Sequence, residues 1–169
     1  MIVIYSMYTV NNGMVNIRKK ALFYYNKALS YFINKLKNNK ITYDSTLNKL
    51  GIDTFGSKIF KGVHPVDKIP DLSEDEMCII NVDTSDMPGS HWVACAYKNG
   101  RLYVYDSFGR QQGNGDLKRM YSIIRRYYDK IEEAEHDAEQ VETEYNCGQR
   151  SLAWLFVFRA LGPEYAVTI

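Results

Sequence analysis

The most constraining feature of the chain is the dipeptide Asn99-Gly100, set between two β-rich runs, Trp92-Val93-Ala94-Cys95-Ala96-Tyr97-Lys98 and Arg101-Leu102-Tyr103-Val104-Tyr105. A two-residue type I′ turn needs positive φ at both central residues, which Asn and Gly tolerate best, so the spacing predicts a tight hairpin in which Lys98 faces Arg101. Counting back from that pair puts Val93 opposite Asp106, with His91 two residues before Val93 on the same face of the pleat. His91 and Asp106 then become diagonal neighbours, about 7–8 Å apart between backbones and within reach of an imidazole and a carboxylate turned toward each other. The hairpin's faces separate into Val93, Cys95, Tyr97, Leu102 and Val104 on one side and Trp92, Ala94, Ala96, Tyr103 and Tyr105 on the other. Both are largely apolar, so the sheet is expected to be covered on both sides.

A second feature gives the hairpin a chemical partner. Cys147 opens an apolar, helix-like run through Leu161 that stops at Gly162-Pro163. A thiol at a helix N-terminus sits near unpaired N–H groups and the positive end of the macrodipole, which favours thiolate. A lone cysteine is more often a small buried hydrophobe; one that joins His91 and Asp106 is a candidate nucleophile with its base and orienting acid. No histidine follows Cys147, which excludes an order with Cys early and His late, and leaves His, Asp, Cys. Of the other histidines, His64 lies in the loop-like Gly62-Val63-His64-Pro65, and His136 sits in an acidic stretch with no strand partner.

At these residues the sequence resembles a known family. His91-Trp92 on a strand, Asp106-Ser107-Phe108-Gly109 ending the next, and Gln140 seven residues before Cys147-Gly148 look like the adenovirus-type maturation proteases (adenain), which share a fold with the Ulp/SENP proteases. Upstream, Leu50-Gly51-Ile52 and Phe55 through Val63 look like the segment preceding the His strand in that family. The resemblance covers about residues 43–160, and a virophage or related small DNA virus enzyme is the nearest kind it implies. It implies Cys147 as nucleophile, His91 as general base and then acid, Asp106 as the group that orients the imidazole, and Gln140 as a side-chain donor to the oxyanion beside the backbone N–H of Cys147. For Trp92 it implies a substrate-binding lid favouring Gly-containing cleavage sites, since glycine has no side chain to clash with it; a strand aromatic can equally be core. The substrates implied are viral capsid or other virion precursors, processed in the virion and at the assembly site in the host cytoplasm.

The chain departs from the family pattern in two places. No cysteine lies between Cys95 and Cys147, so an activating peptide, if one exists, would bind without a disulfide link. The first 40 or so residues are also additional. Up to residue 43 the chain has seven Lys/Arg and no Asp/Glu, against 14 Lys/Arg and 20 Asp/Glu beyond, so a net +1 conceals +7 and −6. Ile17, Ala21, Leu22, Tyr25, Ala28, Leu29, Phe32, Ile33 and Leu36 follow helical spacing, with Lys19, Lys20, Lys27, Lys35 and Lys37 largely elsewhere on the wheel. Residues 1–42 therefore read as a basic amphipathic extension to a catalytic core at 43–169. Its lysines are either a solvated face or a patch for DNA, with a membrane surface as a weaker option.

The 169 residues, 46% hydrophobic and 14% aromatic, suffice for one domain with a sizeable core. Met1 through Tyr5 is too short and uncharged for a signal peptide, and no run approaches a membrane span. Cys78, Cys95 and Cys147 lack a metal-ligand spacing, so neither metal nor cofactor is expected. The expected order is a helix at 16–38, a short helix near Ser45–Leu50, a strand near Met77–Val82, the hairpin, a helix from near Asp116 through Leu117, Met120, Tyr121, Ile124 and Tyr128 into the acidic segment Glu132–Glu144, and a closing Cys147 helix. This is an α+β domain, a mixed central sheet packed against the nucleophile-bearing helix, which the resemblance makes an adenain/Ulp-like fold. Three other readings stay open: an Ulp-like isopeptidase, a Cys-His-Asp acetyltransferase, and a binding module without catalysis.

Overall fold

The computed structural model describes residues 2–36, 43–110, 115–141 and 144–169, with residues 2–15 and 116 described by their backbone alone. The elements are α1 (Ile2–Leu36), α2 (Asp44–Phe55), β1 (Phe60–Pro65), a 3-10 turn (Val66–Lys68), β2 (Met77–Asn81), β3 (Trp92–Lys98), β4 (Arg101–Tyr105), α3 (Gly115–Ile124), β5 (Ile131–Glu133), α4 (Cys147–Leu161) and α5 (Pro163–Ala166). The strands form one sheet in the order β1-β2-β3-β4-β5. Its outer pairs β1–β2 and β4–β5 are parallel and its inner pairs antiparallel, so the class is α+β with a mixed sheet.

The hairpin forms in the expected register, from Lys98↔Arg101 to Ala94↔Tyr105, with Asn99 at φ 53° and Gly100 at φ 70°. Its two faces divide two cores. On one, Ala94, Ala96, Tyr103 and Tyr105 meet Ala21, Tyr25 and Phe32 of α1 and Leu152, Trp154 and Leu155 of α4. On the other, Val93, Cys95, Leu102 and Val104 meet Leu117, Met120, Tyr121 and Ile124 of α3. Helix α4 is buried nearly all round because it lies between the sheet and α1, which is the environment that a helix without a polar face requires. Trp154 stacks on Tyr105 at 5.5 Å and 8° between planes, and its indole N–H donates to the Ala166 carbonyl at 2.8 Å. Gly148 lets α2 close on the head of α4, since a Cβ there would lie 2.7 Å from Leu47 Cδ1.

Several boundaries differ from expectation. Helix α1 begins at Ile2 rather than near residue 16; its buried stripe is Ala21, Tyr25, Ala28 and Phe32, while Lys19, Lys20, Lys27 and Lys35 are exposed. Lys37 falls outside the described residues. The loop expected at Gly62–Pro65 is the end of strand β1, whose Gly62 (φ 107°) accompanies a register shift between Phe60 and Val63. Gly and Pro disguise it, and both are tolerated at a sheet edge. Helix α3 stops at Ile124 instead of running into the acidic segment. Tyr128 stays buried by a different route, its hydroxyl donating to Pro70 O at 2.7 Å and accepting from Leu72 N–H at 2.8 Å. Ile131–Glu133 is an edge strand on β4, where Glu132 pairs with Arg101. The chain also continues past α4 into α5 and a buried Ile169.

Candidate active site

Three element ends converge at the open end of the central β3–β4 hairpin. His91 immediately precedes β3, Asp106 immediately follows β4, and Cys147 is the first residue of α4. The hairpin register brings the first two together: His91 Nε2 lies 2.6 Å from Asp106 Oδ1, with both side chains nearly buried. Nδ1 is the ring nitrogen left for sulfur, and Cys147 lines the same cleft as the imidazole, near enough for each group to shift the other's charge. Asp106 is further held at Oδ1 by the Phe108 N–H at 3.1 Å and at Oδ2 by Arg110 Nε at 2.9 Å.

These contacts set the charges. Burial alone would raise the Asp106 carboxyl, but the hydrogen bonds and charges of His91 and Arg110 bring it down to about 2. Burial likewise pushes the Cys147 thiol up; the bond and charge of His91, with the backbone N–H groups of Trp92 and Gly148, outweigh it and lower the thiol below its ordinary range. His91 is the converse, since burial opposes its charge while Asp106 and Cys147 raise its pKa overall. The three directions together favour thiolate beside imidazolium, the state in which sulfur is the nucleophile and the ring carries the proton.

Gln140 is 3% exposed and not the solvated surface residue its charged surroundings suggest. The Ser107 hydroxyl donates to its Oε1 at 2.7 Å, and its Nε2 donates to the Glu144 carbonyl at 2.6 Å. An amide nitrogen has two hydrogens, so a second remains for a ligand. Gln140, Trp92 and His64 line the same cleft as His91 and Cys147, a space of about 540 Å³. Trp92 is half-buried there, with its carbonyl accepting from Ser151 Oγ at 3.3 Å.

His64 reaches the cleft wall, but its Nε2 is occupied by the Lys61 carbonyl at 2.7 Å. His136 lies 3.7 Å from Glu133 on an exposed segment. Neither replaces His91. Sequence reasoning missed Arg110, Ser107 and Phe108, although all three stand in or just after the Asp106-Ser107-Phe108-Gly109 run. Phe108 packs its ring on His91 at 4.9 Å, and Gly109 (φ 59°) permits the turn because a Cβ would lie 2.5 Å from the His136 carbonyl oxygen. Among the described residues no group of three or more His, Cys, Asp or Glu is placed to hold a metal ion.

Among known proteins, no family model matches the sequence and no curated protein matches it. The chemistry open to this arrangement is nucleophilic acyl transfer through sulfur: an activated thiolate, a proton carrier with a fixed tautomer, and N–H donors at a helix head.

Proposed function

We propose that the chain is a cysteine endopeptidase that processes virion precursor proteins, with His91, Asp106 and Cys147 as its triad. The observation that carries this reading is the His91 to Asp106 contact of 2.6 Å with Cys147 lining the same cleft as that ring. The thiolate adds to the scissile carbonyl carbon, forming C–S as the carbonyl π electrons move to oxygen. Gln140 Nε2 and the helix-head N–H of Cys147 are the donors for that oxyanion. Its collapse breaks C–N, and the departing amine takes the His91 proton. Water then attacks the thioester with His91 as base, releasing the acid and returning sulfur to thiolate.

Trp92 beside the base is the proposed lid that favours glycine before the scissile bond. The test is cleavage of Gly-Gly against Leu-Phe peptides by wild type and Trp92→Ala: the wild type should prefer the first, and the variant should be slower and less selective. Equal cleavage of both by the wild type overturns the glycine preference. An intact virion precursor and a modifier conjugate, offered side by side, separate the endopeptidase from an isopeptidase, and acetyl-coenzyme A tests acyl transfer.

The proposed DNA contact is the outer face of α1. Lys19, Phe23, Lys27, Tyr31 and Lys35 are all exposed at four-residue intervals, with Lys27 4.5 Å from the Phe23 ring centre and Lys35 5.6 Å from that of Tyr31. Alternating cations and rings suit phosphates and bases together. DNA affinity should fall with salt at a log–log slope of about −0.9 per phosphate neutralised. Reversing Lys19, Lys27 and Lys35 to Glu should remove it; unchanged binding leaves the lysines a solvated face. Such contacts, like the substrates, would place the enzyme in the virion and at its assembly site in the host cytoplasm.

A further inference from the structure

Arg150 is a charged residue on the buried part of α4; it lies one turn beyond Cys147 and is 7% exposed. Burying a guanidinium is costly unless its donors are used. Here Nε donates to Asn146 Oδ1 at 2.8 Å, Nη2 to Glu144 Oε2 at 2.9 Å and Nη1 to the Tyr25 hydroxyl of α1 at 3.4 Å. Two of the three partners belong to the segment that leads from Gln140 to Cys147. The same Glu144 accepts the Gln140 side-chain amide on its carbonyl at 2.6 Å and the Val141 N–H on its carboxylate at 3.2 Å.

The chain just before Gln140 is held by α1 directly. Arg18 donates to Glu135 at 2.5 Å and to Asp137 at 2.6 Å. The third tie, from Tyr25, is itself fixed by a 2.7 Å hydrogen bond to Tyr105 on β4. Gln140 therefore stands between two arginine anchors, one on α1 and one reached from α1 through Tyr25.

We propose that Arg150 is a positioning residue for the oxyanion donor, and that α1 holds the Gln140 segment in place through Arg150 and Arg18. This rests on the protease reading of the site. An oxyanion donor works only if aimed before the reaction. Arg150 does not touch sulfur or imidazole, so its loss leaves the thiolate formed and the donor misplaced. α1 thus acts as an internal brace of the catalytic cleft, in addition to covering the core.

The test compares Arg150→Met, which keeps bulk in the buried site, Tyr25→Phe, which removes one hydroxyl, and the half-exposed Arg18 as Arg18→Ala and Arg18→Lys. For each, kcat and KM on a Gly-containing peptide are measured beside the second-order rate of iodoacetamide alkylation at Cys147. Arg150→Met should lose about 10- to 100-fold in kcat, with KM and the alkylation rate close to wild type. Arg18→Ala and Tyr25→Phe should show smaller losses of the same kind, and Arg18→Lys should restore activity. Wild-type kcat in Arg150→Met and Arg18→Ala, or equal loss of kcat and alkylation rate in all variants, overturns the proposal. A wild-type chain that alkylates at Cys147 yet cleaves no peptide overturns the protease reading itself.

Discussion

Cys78 and Cys95 face each other across β2 and β3, fully buried in the core beneath α3, whereas Cys147 sits at the head of α4 against His91. In the first region the Cys78 thiol is pushed well above its ordinary value by its hydrogen bond with Cys95 and by burial. In the second, burial acts in the same direction and loses. The contrast separates two causes that are often merged. A buried thiol is inert unless a proton acceptor and N–H donors surround it, and at Cys147 those come from a hairpin and a helix head far apart in sequence.

The largest test of the contrast is to remove one member of the Cys147 region. Cys147→Ala and His91→Ala should each lower kcat on the order of 10⁶-fold, while Asp106→Asn should lower it on the order of 10⁴-fold, since members of one catalytic unit do not add. Peptide turnover measured on folded variants checks this; His91→Ala with wild-type turnover would dissolve the distinction between the two regions. Gln140→Ala should follow, losing about 10²–10³ in turnover while Cys147 alkylates at the wild-type rate. That outcome would sharpen the comparison by dividing thiolate formation from oxyanion binding, and full turnover would take Gln140 out of the site.

The smallest effect concerns the residue beside it. Glu139 has a buried Oε2 with no hydrogen-bond partner among the described residues, and burial, only partly offset by Arg150, raises its pKa from 4.5 to about 7. A carboxyl raised in the folded state binds its proton more tightly there than when unfolded. Its contribution is therefore complete below the unfolded value and is lost as pH rises from 4.5 through about 7. Glu139→Gln, a neutral stand-in, should melt above wild type at pH 8 and near it at pH 4.5. Equal melting temperatures at both would show that burial, decisive at Cys78, does not govern this carboxyl.

Much of the site was legible because one turn fixed it. Asn99-Gly100 set the register, the register placed His91 against Asp106, and the apolar run after Cys147 announced a helix. The parts that could not be read depend on contacts without periodicity. Strand β1 carries Gly62 and Pro65 and pairs only at an edge. β5 is three residues, two of them Glu, stabilised by the cross-strand Arg101. Arg110 and Arg150 look like any surface arginines in a string of letters; only the fold puts one on Asp106 and the other beneath the Gln140 segment. α1 showed its amphipathic stripe, but that Tyr25 meets Arg150, 125 residues away, is tertiary information.

The most direct test of the account is the pH dependence of iodoacetamide alkylation of the native chain, with the labelled cysteine located by mass spectrometry, in wild type and His91→Ala. The account predicts that Cys147 is labelled first, with a midpoint below that of a free thiol, and that His91→Ala moves the midpoint up while Cys78 and Cys95 react only on unfolding. Labelling of Cys78 or Cys95 ahead of Cys147, or a Cys147 midpoint unmoved by loss of His91, would contradict it.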